Sequence, residues 1–148
     1  RLKSSLANGS VPLFSNVIKM NVTPYLDVAL PIPNTGELYI TGNAVASDWT
    51  NSPPIAQKCT TVSSTEFNIT VDLVSGKEYK FLTTLGAWQP QYGRKKGTSG
   101  TWETGDLGLN NNTPGYDSDP DGIPSPAVSG KYKITLNFKT GKYKAEKI

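Results

Sequence analysis

Trp49 lies beside Asn43, Asp48 and Asn51, and Trp88 beside Gln89, Gln91 and Tyr92, so each indole sits among polar side chains rather than in an apolar run. That company suits carbohydrate. One face of a sugar ring carries C–H groups that pack on an aromatic plane, while its hydroxyls need fixed donors and acceptors such as amides, carboxylates and ammonium groups. Lys80 supplies an ammonium on the stretch that leads into the Trp88 segment. The competing reading makes each tryptophan an ordinary core residue, and the domain a structural spacer or protein-interaction module.

Other chemistries fare worse. The chain has no His and one Cys, which removes the usual proton shuttle, the commonest metal ligand and any disulfide within the chain. Cys59 has no His to activate it and reads as a structural thiol. A glycosidase needs two carboxylates about 5–10 Å apart across the sugar. The candidates are Glu103 with Asp106, or the carboxylates between 117 and 121, and neither set makes a convincing pair, so no catalytic residue is expected. The run Asp117-Ser118-Asp119-Pro120-Asp121-Gly122 matches the first half of a calcium loop, but Val128 stands where the bidentate Glu belongs, so a polar turn is expected and no metal or cofactor. Arg94-Lys95-Lys96 reads as a solvated loop rather than a phosphate site, and the scattered charges that sum to +3 give no nucleic-acid stripe. The Asn-X-Ser/Thr sequons at Asn8, Asn21, Asn68 and Asn111 arise readily by chance in so Asn- and Thr-rich a chain.

The elements that must hold these residues are strands. With 14 Gly, 11 Pro and a hydrophobic fraction of 36% in 148 residues, the composition favours short strands and turns over helices. Phe67, Ile69, Val71 and Leu73 alternate with polar residues, as do Tyr132, Ile134, Leu136 and Phe138, which is the period of a half-buried strand. A turn at Thr140-Gly141 and a return strand over 142–148 complete the second of these as a hairpin. Strands are also expected over 37–41 and 78–84, the latter with Tyr79 and Phe81 inward and Lys80 outward. Between them run a long loop from Gly42 to about Ser64 and an irregular region from Leu85 to Gly130, which carries Trp88, Tyr92, Trp102 and Tyr116. The expected fold is all-β, an immunoglobulin-like antiparallel β-sandwich of two packed sheets.

The segments Leu38-Tyr39-Ile40-Thr41-Gly42-Asn43-Ala44 with Trp49, Glu78-Tyr79-Lys80-Phe81-Leu82, Trp88-Gln89-Pro90-Gln91-Tyr92-Gly93, Gly130-Lys131-Tyr132-Lys133-Ile134 and Gly141-Lys142-Tyr143 together resemble the SusE/SusF group of bacterial surface glycan-binding lipoproteins. The resemblance covers 36–148, which it implies is a carbohydrate-binding β-sandwich domain, with 27–35 a linker and 1–26 the final hairpin of a truncated preceding domain. It implies tandem domains that bind and do not cleave, exposed at the outer-membrane surface through a lipid anchor outside this chain. They hold a polysaccharide or oligosaccharide, starch-like α-glucan foremost, for an outer-membrane importer and other surface glycan-binding proteins. The family's sites use one aromatic from the loop after the first strand, one from the loop after the Tyr-Lys-Phe strand, and a basic residue on that strand. Here those positions are Trp49, Trp88 and Lys80, with Gln89, Tyr92, Trp102 and Asn110 as further expected contacts. An accessory domain of a larger glycoside hydrolase would look the same over these residues.

Overall fold

The computed structural model describes residues 28–148 apart from Thr113, together with a short strand pair nearer the start, β1 (Lys3–Ser4) and β2 (Leu13–Phe14), which run antiparallel. The rest of the hairpin expected over 1–26 lies outside the described residues. The remaining strands are β3 (Tyr39–Thr41), β4 (Thr60–Ser63), β5 (Glu66–Leu73), β6 (Glu78–Leu82), β7 (Gln91–Arg94), β8 (Thr104–Asn110), β9 (Ile123–Pro124), β10 (Gly130–Asn137) and β11 (Lys142–Lys147). One 3₁₀ turn, Ile55–Gln57, is the helical element among the described residues.

The strands form where side chains alternate between core and water. In β10 Tyr132, Ile134 and Leu136 are buried while Lys131 and Lys133 are exposed, and β5 buries Phe67, Ile69 and Leu73 in the same rhythm. The two pair without a slip from Gly130↔Leu73 to Asn137↔Glu66. Such register is strict because a one-residue shift would turn every apolar side chain to solvent. Phe138, just past β10, meets the rings of Phe67 and Tyr92 edge-on at 5.6 and 5.0 Å, which links two faces of the core.

The fold is an all-β antiparallel sandwich, but its two layers are one curled sheet rather than two separate ones. Strands follow the order β3-β6-β7-β8-β11-β10-β5-β4, with β9 paired to β6. The crossing is made by β8, whose residues 107–110 pair with β7 and whose residues 104–106 pair with β11. The far ends of the order also touch, through a Tyr39↔Lys58 bridge and a 2.7 Å bond from the Cys59 amide to the Leu38 carbonyl.

Four strands lie in stretches that read as loops. The long loop after Gly42 contains β4, whose four residues are all exposed, so it shows no apolar alternation. The irregular region contains the two-residue β9 as well as β7 and β8, which have glycines in their interiors. A Cβ at Gly93 would come within 2.4 Å of the Asp121 carbonyl, and one at Gly105 within 2.5 Å of the Tyr143 hydroxyl. These glycines mark close approach of other groups to the sheet. Residues 28–35 run along the sandwich: the Ala29 and Leu30 amides bond to the Phe138 carbonyl, the Pro31 carbonyl accepts from the Tyr92 hydroxyl, and Leu30 and Ile32 pack on the core.

Candidate functional site

The segment carrying Trp49 hangs from the end of β3. Thr41 is fully buried, and its hydroxyl donates to the Thr50 carbonyl at 2.7 Å and accepts from the Thr50 amide at 3.1 Å, so one side chain closes the loop from beneath. Gly42 makes the bend possible, with φ +132° and no room for a Cβ, which would lie 2.4 Å from the Glu78 carbonyl. Asp48, in the left-handed region, accepts the Trp49 amide on its carboxylate at 2.8 Å.

Trp88 stands on the connection between β6 and β7, and this connection is tied to the first loop. The Gly86 amide donates to the Asn51 carbonyl at 2.7 Å, and the Asn51 side chain donates to the Gly86 carbonyl at 3.0 Å. Two aromatic-bearing loops that are distant in sequence are thus joined by reciprocal bonds. Trp49 is 41% exposed and Trp88 42%, so neither is a core residue.

Both indoles line one open cleft of about 480 Å³ together with Lys80, Gln89, Gln91, Asn110, Ser118 and Asp119. The strand period of β6 sends Tyr79 and Phe81 into the core and Lys80 to this outer face. The Lys80 ammonium pairs with Asp119 at 2.8 Å; its side chain is 14% exposed against 64% for Asp119, and an ammonium's further donors stay available to a ligand. Asn110 forms the far wall. Its amide nitrogen donates to the Ser118 carbonyl and its oxygen accepts from the Asn112 amide at 3.1 Å, which makes it an organiser of the 111–119 loop with little surface of its own.

Five of the residues expected at the site therefore meet in one cleft: Trp49, Lys80, Trp88, Gln89 and Asn110. Tyr92 and Trp102 do not. Tyr92 points inward from β7 and is 2% exposed, because the strand alternation that places Gln91 outward turns its neighbour into the core, where burial raises its phenol pKa. Trp102 packs edge-on against Tyr132 at 5.6 Å and lines a separate cavity with Glu103, Thr104, Lys144 and Glu146. Asp119 and Ser118 were not among the residues expected at the site, and Gln91 entered only as polar company of Trp88. A signal for Asp119 existed: Lys80 is outward by strand period, and the 117–121 run offers three carboxylates that could answer it.

The three carboxylates of that run go to three different partners. Asp119 pairs with Lys80, Asp121 pairs with Arg94 at 2.9 Å, and Asp117 accepts the Lys96 amide at 3.4 Å. Arg94-Lys95-Lys96 is likewise divided, because Arg94 closes β7 and also donates to the Thr98 carbonyl at 2.8 Å, while Lys95 lines a different cavity. Glu103 and Asp106 line separate cavities, and Asp106 is paired with Lys142. Cys59 is buried, which pushes its thiol pKa up and keeps it protonated at neutral pH. No family model, curated protein or solved structure matches the chain.

Proposed function

We propose that this chain is a non-catalytic carbohydrate-binding domain that holds a polysaccharide on Trp49 and Trp88. The observation that carries the reading is the exposure of both indoles, 41% and 42%, into one cleft whose remaining lining is ammonium, amide, hydroxyl and carboxylate. A protein-binding hot spot of the same size would want an apolar surround that excludes water. Here the aromatic planes meet C–H faces and the polar groups meet hydroxyls. The carboxylates weighed as catalytic candidates support binding without cleavage, since Glu103 and Asp106 line separate cavities while Asp119 and Asp121 are held in ion pairs. The setting at a bacterial outer-membrane surface, with a lipid anchor outside this chain, an importer as partner and starch-like α-glucan as the first glycan to try, rests on the resemblance to SusE/SusF proteins.

Calorimetry over starch, xyloglucan, mannan, pectin and β-glucans tests the reading, repeated with Trp49→Ala and Trp88→Ala. If a sugar covers roughly 80 Å² of each indole, each truncation removes about 2 kcal/mol, or about 30-fold in Kd. Unchanged binding in both variants would reject the stacking platform.

A further inference from the structure

The cleft does not end at Trp49. A second cleft of about 400 Å³ adjoins it and shares Trp49, Lys80 and Asp119, and beyond them it is lined by Glu78, Arg94, Lys96, Asp121 and their neighbours. Trp49 therefore stands between two halves rather than at one end, and Trp88 belongs to the first half alone.

The far wall of this second half is held firmly. Arg94 and Asp121 exchange backbone bonds of 2.8 and 2.9 Å in addition to their side-chain pair, and Gly93 lets the Asp121 backbone lie directly on β7. Arg94 spends its guanidinium on Asp121 and Thr98, so its part is scaffolding. Glu78 and Lys96 differ: among the described residues neither side chain forms an ion pair, and both belong to exposed residues. They are the charged groups of this half left to meet a ligand, and hydrogen bonds from hydroxyls to ionised groups are stronger than those between neutral partners.

Resting on the carbohydrate reading, we infer that the Glu78/Lys96 half is a further subsite, so that the ligand is a chain bound by an internal stretch, running from Trp88 over Trp49 and the Lys80–Asp119 pair to Lys96. The charges decide its class. Lys80, Arg94 and Lys96 are balanced by Glu78, Asp119 and Asp121, so neither an acidic nor a basic sugar gains net attraction, and an uncharged chain fits. Both halves are open to solvent along the surface, which suits the middle of a polymer.

The test compares maltotriose with maltoheptaose by calorimetry on the wild-type chain, on Trp49→Ala and on Glu78→Gln/Lys96→Ala. Wild type is expected to bind the longer oligosaccharide at least about tenfold more tightly, a difference of about 1.4 kcal/mol. The double variant is expected to keep its affinity for maltotriose and its melting temperature while losing most of that gain. A gain that survives in the double variant, or equal wild-type affinity for the two lengths, overturns the subsite and leaves the tryptophan platform standing. Undiminished maltotriose binding by Trp49→Ala, or no binding by wild type of either sugar or of any glycan in the panel above, overturns the platform and the extension together.

Discussion

Tyr79 and Lys80 are neighbours on β6 with opposite fates, and substitutions at the two should separate stability from binding. The Tyr79 hydroxyl is buried and finds no hydrogen-bond partner among the described residues, while the ring itself packs edge-on against Phe81 at 5.8 Å. Removing an unsatisfied buried hydroxyl and keeping the ring is expected to stabilise by about 1 kcal/mol, so Tyr79→Phe should raise Tm by about 4 °C. Lys80→Ala leaves Asp119 largely in water, so stability should change by less than about 1 kcal/mol, while loss of a charged donor should weaken glycan binding about tenfold or more. Differential scanning calorimetry and binding calorimetry on the same two samples read both outcomes. A large drop in Tm for Lys80→Ala would mean that the lysine is structural. The alternation that separates the two residues is legible in Glu78-Tyr79-Lys80-Phe81. The Asp119 partner, 39 residues on, is not, since it depends on where a loop returns.

At the scale of elements, the site is made by loops that the sandwich suspends at fixed points. Thr41 is the suspension of the Trp49 loop, and Asn51 with Gly86 ties that loop to the one bearing Trp88. Thr41→Val preserves the shape of the side chain but strands the Thr50 amide. It is expected to cost about 1–3 kcal/mol and to weaken glycan binding by loosening Trp49, as thermal melting and calorimetry would show together. Retained affinity with a lowered Tm would mean that the loop holds its form without Thr41. A buried threonine at the end of a strand carries no mark in sequence of the loop it will close. Strands β5 and β10 were readable because they are half-buried and alternate. Strands β4, β7 and β8 were hidden, one by full exposure and two by glycines that make room for Asp121 and Tyr143.

The whole molecule closes a single curled sheet around a core rich in tyrosine, and this gives its stability a dependence on alkaline pH. Burial raises the pKa of Cys59 above 9.0 and those of Tyr79 and Tyr92 above 10.0, and pushes Tyr143 up to about 12. The unfolded chain loses these protons first and so binds fewer of them than the fold. The stability they contribute is complete below about pH 9 and declines as pH rises toward the folded-state values, by up to about 1.4 kcal/mol per pH unit for each such group. Melting at about pH 11 should fall well below melting at about pH 8, and equal values would mean that these groups reach solvent in the fold. The all-β class, the inward and outward sides of its clearest strands, the absence of histidine chemistry and the company of Trp49 and Trp88 were all determined by residue type and short-range spacing, because strand period and composition are local properties. Tertiary structure alone decided that Tyr92 is core and Trp102 lies elsewhere, that Asp119 meets Lys80, and that the cleft continues past Trp49. Each of these depends on contacts between segments tens of residues apart, which local spacing does not encode.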